Sequence, residues 1–422
     1  MKESIKSAIL NRRMLICVFT GFSSGLPLYI LMLLVPAWLT VSGVSIKTIG
    51  FFTLVGIPYT CKFLWAPLID SYIPPFLGRR RGWMLITQLL VFASIVAIGY
   101  FHPEISVMSV AWMATAIAFF GASQDVVLDA YRRELLPDLE LGLGNSIHVQ
   151  AFRISQLVPG SLALILAEHI SWPSVFWMVA AFMLVGIVLT FCIVEIPIKI
   201  MPPRTFRAAV VEPFKDFFGR FGVILGLQIL LFVLFYKLGD SMATALTTTF
   251  YNRGLGFSLS EIGLYAKNAG LWSSIAGGMI GGLLMTRMGI NRALWIFGIL
   301  QWVVILGFVV MAEIGHNTIA LFIFIAIEAF GMGMGAAALV AYIASVTNPT
   351  FAATQFALLT ALTAMPRNIF NSFSGIFVEY MGWTNYFLFC MLIAIPGMLL
   401  LFKVAPWNEP KLELTPEETG TR

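Results

Sequence analysis

Charge is what this chain has least of. Asp, Glu, Lys and Arg make up 11% of its 422 residues, hydrophobic residues make up 59%, and mean hydropathy is +0.90. An average soluble domain is roughly a quarter charged, so a water-soluble globular protein is excluded and the chain reads as a polytopic protein of the lipid bilayer. Cysteine is also scarce. Cys17, Cys61, Cys192 and Cys390 lie in apolar segments without CxxC or Cys/His spacing, so neither a disulfide framework nor a metal site is implied. His102, His148, His169 and His316 fall in expected loops or near helix ends. No Walker lysine motif, metal-ligand cluster or Ser/His/Asp constellation appears, which argues against an enzyme and implies no cofactor.

What the chain does have is apolar length. At about 20 residues per crossing, helices are expected near 14–40, 47–69, 83–101, 107–131, 145–168 and 173–194, then near 221–249, 260–286, 292–312, 318–345, 351–377 and 383–404. The first apolar run is long and lacks a small-residue cleavage site, so it reads as a retained helix. The net charge of +5 does not point to nucleic acid, because 19 of the 26 Lys and Arg fall in one alternate set of loops and tails. That bias places both termini on the cytoplasmic side.

The expected organisation is a six-helix bundle over 1–195, a cytoplasmic linker over 196–219, a second bundle over 220–404 and a cytoplasmic tail over 405–422. The linker holds Pro197, Pro202, Pro203 and Pro213. VSIKTIG at 44–50 matches FSLSEIG at 257–263 with an offset of 213, Ala130-Tyr131 recurs at Ala341-Tyr342, and Arg153 corresponds to Arg367. These near-constant offsets indicate two tandem parallel repeats, as in the major facilitator fold. Intramembrane charge gives a second test. It occurs on helices 2, 4, 5, 7, 8, 10 and 11, while helices 3, 6, 9 and 12 carry none well inside, as expected if every third helix is peripheral and the others surround a polar path.

Several constellations on those helices invite a role. Lys62 stands about eight residues before Asp70, so helical rise puts it roughly 12 Å into the bilayer, where a cation is costly and needs a partner. Asp125, Asp129, Arg132 and Arg133 share one face of helix 4. Asp125 is a candidate proton carrier or, alternatively, a permanent ionic partner of Lys62 or Arg153, and Asp129 is a candidate for the same coupling role or a near-surface ion pair. Glu328, near the middle of helix 10, is another candidate proton site. Lys62 and Arg153, with Gln124 and Gln150 as polar neighbours, suit an anionic substrate. Arg367, Asn368 and Asn371 on helix 11 form a second candidate contact set. Asp70 with Arg79, Arg80 and Arg81 reads either as a gating hinge, with Asp70 received at the start of helix 11, or as topology-setting charge alone. Lys237 and Asp240, at i, i+3 on helix 7, read as an intrahelical pair that could take part in gating.

The segments PYTCKFLWAPLIDSYIPPFLGRRRGW, ASQDVVLDAYRRELLP and AFRISQLVPGSLAL, with TQFALLTALTAMPRNIFNSFSG at 354–375, resemble the AmpG muropeptide permeases of Gram-negative bacteria. The resemblance spans at least 50–195. It implies an all-α membrane protein of the major facilitator superfamily, with 12 transmembrane helices in two pseudo-symmetric bundles. It further implies proton-driven import of N-acetylglucosamine-anhydro-N-acetylmuramyl peptides across the bacterial inner membrane for peptidoglycan recycling and β-lactamase induction. Lys62 falls in the family's KFLW motif, Asp125 and Asp129 in its SQD…DA motif, and Arg153 in its helix 5 arginine segment. A small glycopeptide substrate and a monomeric state are expected. The alternatives are import of another large anion, such as a siderophore or CoA ester, and a non-transporting receptor or scaffold.

Overall fold

A computed structural model of the chain describes residues 11–196, 206–347, 364 and 367–407. Ten helices among them are long and apolar enough to cross a membrane. In chain order the crossings are α1 (Arg12–Val41), α2 (46–71), α3 (Arg79–Ile98), α4 (Val107–Leu135), α5 (138–166) and α6 (Trp172–Cys192), followed by α7 (223–254), α8 (Leu259–Met288), α9 (Ile290–Ile314), α10 (Thr318–Val346), α11 (367–381) and α12 (383–404). The two beyond the ten are α2, whose helix is broken, and α11, most of whose expected span lies outside the described residues.

The α2 break has a local cause. Pro58 and Pro67 each remove a backbone donor, and 3₁₀ turns intervene at Phe52–Gly56 and Lys62–Leu64. Wider turns interrupt other crossings: α1 has a π turn at Ile30–Leu34 following Pro27, α5 has one at Val158–Leu162 containing Pro159, and α8 has one at Ile262–Lys267. Such bulges unwind the backbone without ending the helix, and they favour functional positions. Part of the expected linker is helical. The helix runs Phe206–Ala245, and Gly222, at φ 72°, turns the 206–221 segment away from the crossing that follows. Gly382, at φ 75°, separates α11 from α12 in the same way.

The repeat expected from the sequence is visible in the packing. Trp38 lies 5.8 Å from Trp172 and 5.1 Å from Phe176, ring centre to ring centre. Phe250 lies 5.0 Å from Trp383 and 4.9 Å from Phe387 in the other half. The matched Ser45 and Ser258 each cap a helix start, accepting from Thr48 N and Glu261 N. The matched Gly50 and Gly263 lie where the halves meet. Gly50 packs on the α11 backbone at Ser372 and Gly375, and Gly263 on the α5 backbone at Ser161. A side chain at either crossing would separate the helices.

The halves are held together at the end of the bundle opposite the chain termini. Arg253, at the end of α7, donates to the carbonyls of Leu39, Thr40 and Val44. Thr40 and Thr249 share a hydroxyl hydrogen bond of 2.9 Å. The carboxylate of Glu379 accepts from Lys47 N at 2.9 Å, and that of Glu168 accepts from Ser260 N at 3.0 Å and from the Ser260 hydroxyl. These last two contacts are repeat-related, since Lys47 and Ser260 are 213 residues apart and Glu168 and Glu379 are 211 apart. Each half therefore caps the first turn of a helix in the other. Among the described residues, the hydrogen bonds between the halves run from this far end to the middle of the bundle, and none joins them nearer the termini.

Candidate functional site

Beneath the far-end seal, between the halves, lies a cavity of about 480 Å³. The N-terminal half contributes apolar and neutral groups from α1, α2 and α5, including Thr53, Thr60 and Gln156. The charged residues of the wall, Lys237, Asp240, Lys267, Glu328 and Arg367, all come from the C-terminal half. Sequence reading distributed the ionisable groups over both halves. The fold brings only one half's set to this surface.

Lys237 and Asp240 are paired as expected, Nζ to Oδ2 at 3.0 Å, and Lys237 also donates to Gln301 Oε1 at 2.6 Å. They form part of the cavity wall midway along α7 and are not at a bundle end. Asp240 is only 5% exposed, so its charge depends on that lysine. Glu328 is 7% exposed, and its Oε1 has no hydrogen-bond partner among the described residues. Asn371 donates to the Ser241 hydroxyl at 2.9 Å and leaves its own Oδ1 unsatisfied. Asn368 reaches Thr60 of α2 at 3.4 Å. Arg367, Asn368 and Asn371, grouped on sequence grounds, thus share the wall. Lys267 is the intramembrane charge of helix 8. The α8 π turn ends at this residue, and its Nζ donates to Thr248 Oγ1 at 2.9 Å.

None of the charged residues of the N-terminal half lines this cavity. Lys62 Nζ lies 3.4 Å from Asp125 Oδ2 and 3.5 Å from Asp129 Oδ2, so one cation is shared by two acids. Ser24 donates to the other oxygen of Asp125, and Arg132 pairs with Asp129 at 2.9 Å. Gln124 donates to Ser23 O at 3.0 Å and to its hydroxyl at 2.9 Å, in the α1–α4 contact. Gln150 has a buried, unsatisfied Oε1. Arg153 is half-buried and has no ionic or hydrogen-bond partner among the described residues. Lys62, Asp125 and Asp129 are brought together. Arg153, Gln124 and Gln150 are not part of that cluster, and none of these six lines the cavity.

At the terminal end, Arg79 and Arg80 both reach Glu134 Oε1, at 2.9 and 2.7 Å. Glu195 accepts from Arg80 N at 2.8 Å and Arg81 N at 3.0 Å, and Arg81 also donates to Thr190 O. A carboxylate thus caps the start of α3, and the three arginines hold α3, α4 and the end of α6 together. The Asp70 side chain and the start of helix 11 near Asn348 lie outside the described residues. Sequence reasoning did not select Glu134, Glu195, Glu168, Glu379, Arg253 or Gln301. Their signal was weak, a lone polar residue near a helix end or on an apolar face, and its meaning comes from a partner in another helix. Among the described residues, no group of three or more His, Cys, Asp or Glu is placed to hold a metal ion.

Two repeat-related helical bundles around a central charged cavity are the architecture of a membrane transporter. The Major Facilitator Superfamily profile matches residues 17–364 and 229–421, and the chain belongs to that superfamily. Within it, the chain falls in the AmpG-type group. It is 43% identical over 390 residues to the anhydromuropeptide permease of Escherichia coli, covering 92% of this chain and 79% of that protein. It is also 48% identical over 419 residues to an uncharacterised protein of Haemophilus influenzae, covering 97% and 98%. Among solved structures, the nucleoside transporter NupG superimposes with a TM-score of 0.71 at 13% identity, covering 94% of this chain and 100% of that one. A D-xylose–proton symporter superimposes at 0.68, also at 13% identity, covering 93% and 96%. At such identities the likeness is one of fold.

Proposed function

We propose that the chain imports anhydro-muropeptides from periplasm to cytoplasm across the bacterial inner membrane, supplying peptidoglycan recycling and the signal for β-lactamase induction. The sustained likeness to the Escherichia coli permease is the observation that carries this reading. The bias of basic residues supports cytoplasmic termini. On that orientation the far-end seal faces the periplasm, and the cavity belongs to a state closed on that side. Import proceeds by alternating access, with the far-end contacts breaking to admit cargo and re-forming behind it.

We further propose that the proton gradient drives uptake through the Lys62–Asp125–Asp129 cluster. Two acids compete for one lysine there, so a proton on Asp125 frees Lys62 to pair with Asp129 alone. The α2–α4 contact then has two states with different charge. Glu328 is a second proton-exchange candidate, on the opposite half. The transporter works as a monomer, since each copy contains its own cavity. Uptake of labelled anhydro-muropeptide into right-side-out vesicles tests both parts. A protonophore is expected to abolish accumulation, and Asp125→Asn to abolish it while leaving exchange of internal for external muropeptide intact. No uptake by the wild type overturns the cargo reading. Accumulation by Asp125→Asn at the wild-type level overturns the role of Asp125.

A further inference from the structure

The cavity wall carries three cations, Lys237, Lys267 and Arg367, against two carboxylates, Asp240 and Glu328, so its own charges do not cancel. Lys237 and Asp240 neutralise each other across 3.0 Å. Lys267 and Arg367 stand on the same wall, and among the described residues neither has a carboxylate within 4.0 Å. Lys267 keeps one neutral partner, the Thr248 hydroxyl, and Arg367 has no hydrogen-bond partner at all among them. On the same wall, Asn371 presents an unsatisfied, nearly buried amide oxygen. Cations held in a low-dielectric interior are retained at a cost unless a counter-charge arrives. Lys62, the lysine that sequence reading favoured for an anion, already has two acids, and the N-terminal half brings no charge to the cavity surface.

We infer that Lys267 and Arg367, on α8 and α11 of the C-terminal half, together form the site that receives a carboxylate of the cargo. The inference rests on the muropeptide reading, because a peptide with a free C-terminus brings such a group. Arg367 offers a planar fork that can take both carboxylate oxygens, and Lys267 offers a point charge on a flexible stem. The two halves then divide the work, with the proton cluster in the N-terminal half and cargo charge recognition in the C-terminal half. Because the two cations sit on helices that also meet the opposite half, at Ser161 through Asn268 and at Thr60 through Asn368, seating the carboxylate bears directly on the inter-half contact.

The test is equilibrium binding to the purified full-length transporter of two probes, an anhydro-muropeptide and the same molecule with its peptide carboxyls amidated. The wild type is expected to bind the acid at least about 10-fold more tightly than the amide. Lys267→Gln and Arg367→Gln are each expected to weaken acid binding by about 10- to 100-fold, the range for one charge-assisted contact, while changing amide binding less than about 3-fold. Lys267→Arg and Arg367→Lys keep the charge and are expected to keep the preference for acid over amide, which guards against loss by misfolding. Equal wild-type affinity for the two probes overturns the inference, as does equal loss of both probes in the glutamine variants. Binding of neither probe to the wild type overturns the muropeptide reading and this inference with it.

Discussion

The paired carboxylates at the far end give the sharpest handle on the conformational equilibrium. Glu168 and Glu379 each cap the first turn of a helix in the opposite half, at Ser260 N and Lys47 N. Both side chains are exposed, so solvent and salt screen them. A carboxylate at a helix N-terminus contributes about 0.3–1 kcal/mol under such conditions. Replacing both by glutamine retains an acceptor but removes both charges, and is expected to lower the closed state's advantage by about 0.6–2 kcal/mol in sum. At 1.4 kcal/mol per tenfold, the open fraction then rises about 3- to 30-fold. The reporter is a cysteine at Thr249, which is 1% exposed in the sealed state, in a background lacking the four native cysteines. The rate of its labelling by a membrane-impermeant maleimide follows the open population.

Acidity provides an internal control. Burial alone would push the Glu168 carboxyl up, but the bonds it accepts from Ser260 outweigh this and hold it below its ordinary 4.5. A group held down in the closed state favours closure above its ordinary value, and that favour is lost as pH falls through the lowered one. Relative to a fully exposed cysteine at the same pH, which corrects for the loss of thiolate, labelling in the otherwise wild-type reporter is therefore expected to accelerate as the outer pH falls below about 4.5. Glu168→Gln should reduce that acceleration. An unchanged labelling rate in the double glutamine variant, or an identical acid response after Glu168→Gln, refutes the clasp.

Two further outcomes follow from the packing. Lys237→Ala strips a 5%-exposed aspartate of its counter-ion and is expected to cost about 3–5 kcal/mol, less whatever is recovered if Asp240 takes up a proton. Adding Asp240→Asn should restore part of the lost melting temperature, and a double variant no more stable than Lys237→Ala contradicts the pairing. A Cβ at Gly375 would overlap the Ile46 carbonyl and lie 2.7 Å from the Lys47 Cα. Gly375→Val is therefore expected to disfavour the sealed state by about 1–3 kcal/mol, accelerating Thr249→Cys labelling about 5- to 150-fold. An unaltered labelling rate would show that the α2–α11 contact does not support closure.

Much of the fold was legible because the bilayer leaves few choices. Apolar runs of about 20 residues can only cross as helices, so crossing positions follow from composition. The repeat was legible for a related reason. Ser45 with Gly50 and Ser258 with Gly263 each encode a helix start followed by a close crossing, and both needs are local. The Lys237–Asp240 pair was legible from i, i+3 spacing alone. The helix at 206–221 was not, because Pro213 and the charges around it read equally well as a loop.

The charged site divides along the same line. Sequence determined which charges lie within the membrane and on which helices, because hydropathy and spacing record depth. It left undetermined which face each helix turns inward, since rotation about a helix axis depends on neighbours contributed by distant parts of the chain. Tertiary structure decided that Lys62 faces Asp125 and Asp129 and does not line the cavity. It also decided that Lys267 and Arg367 face the cavity itself. Depth is a property of one helix and can be read from it, whereas facing is a property of the bundle.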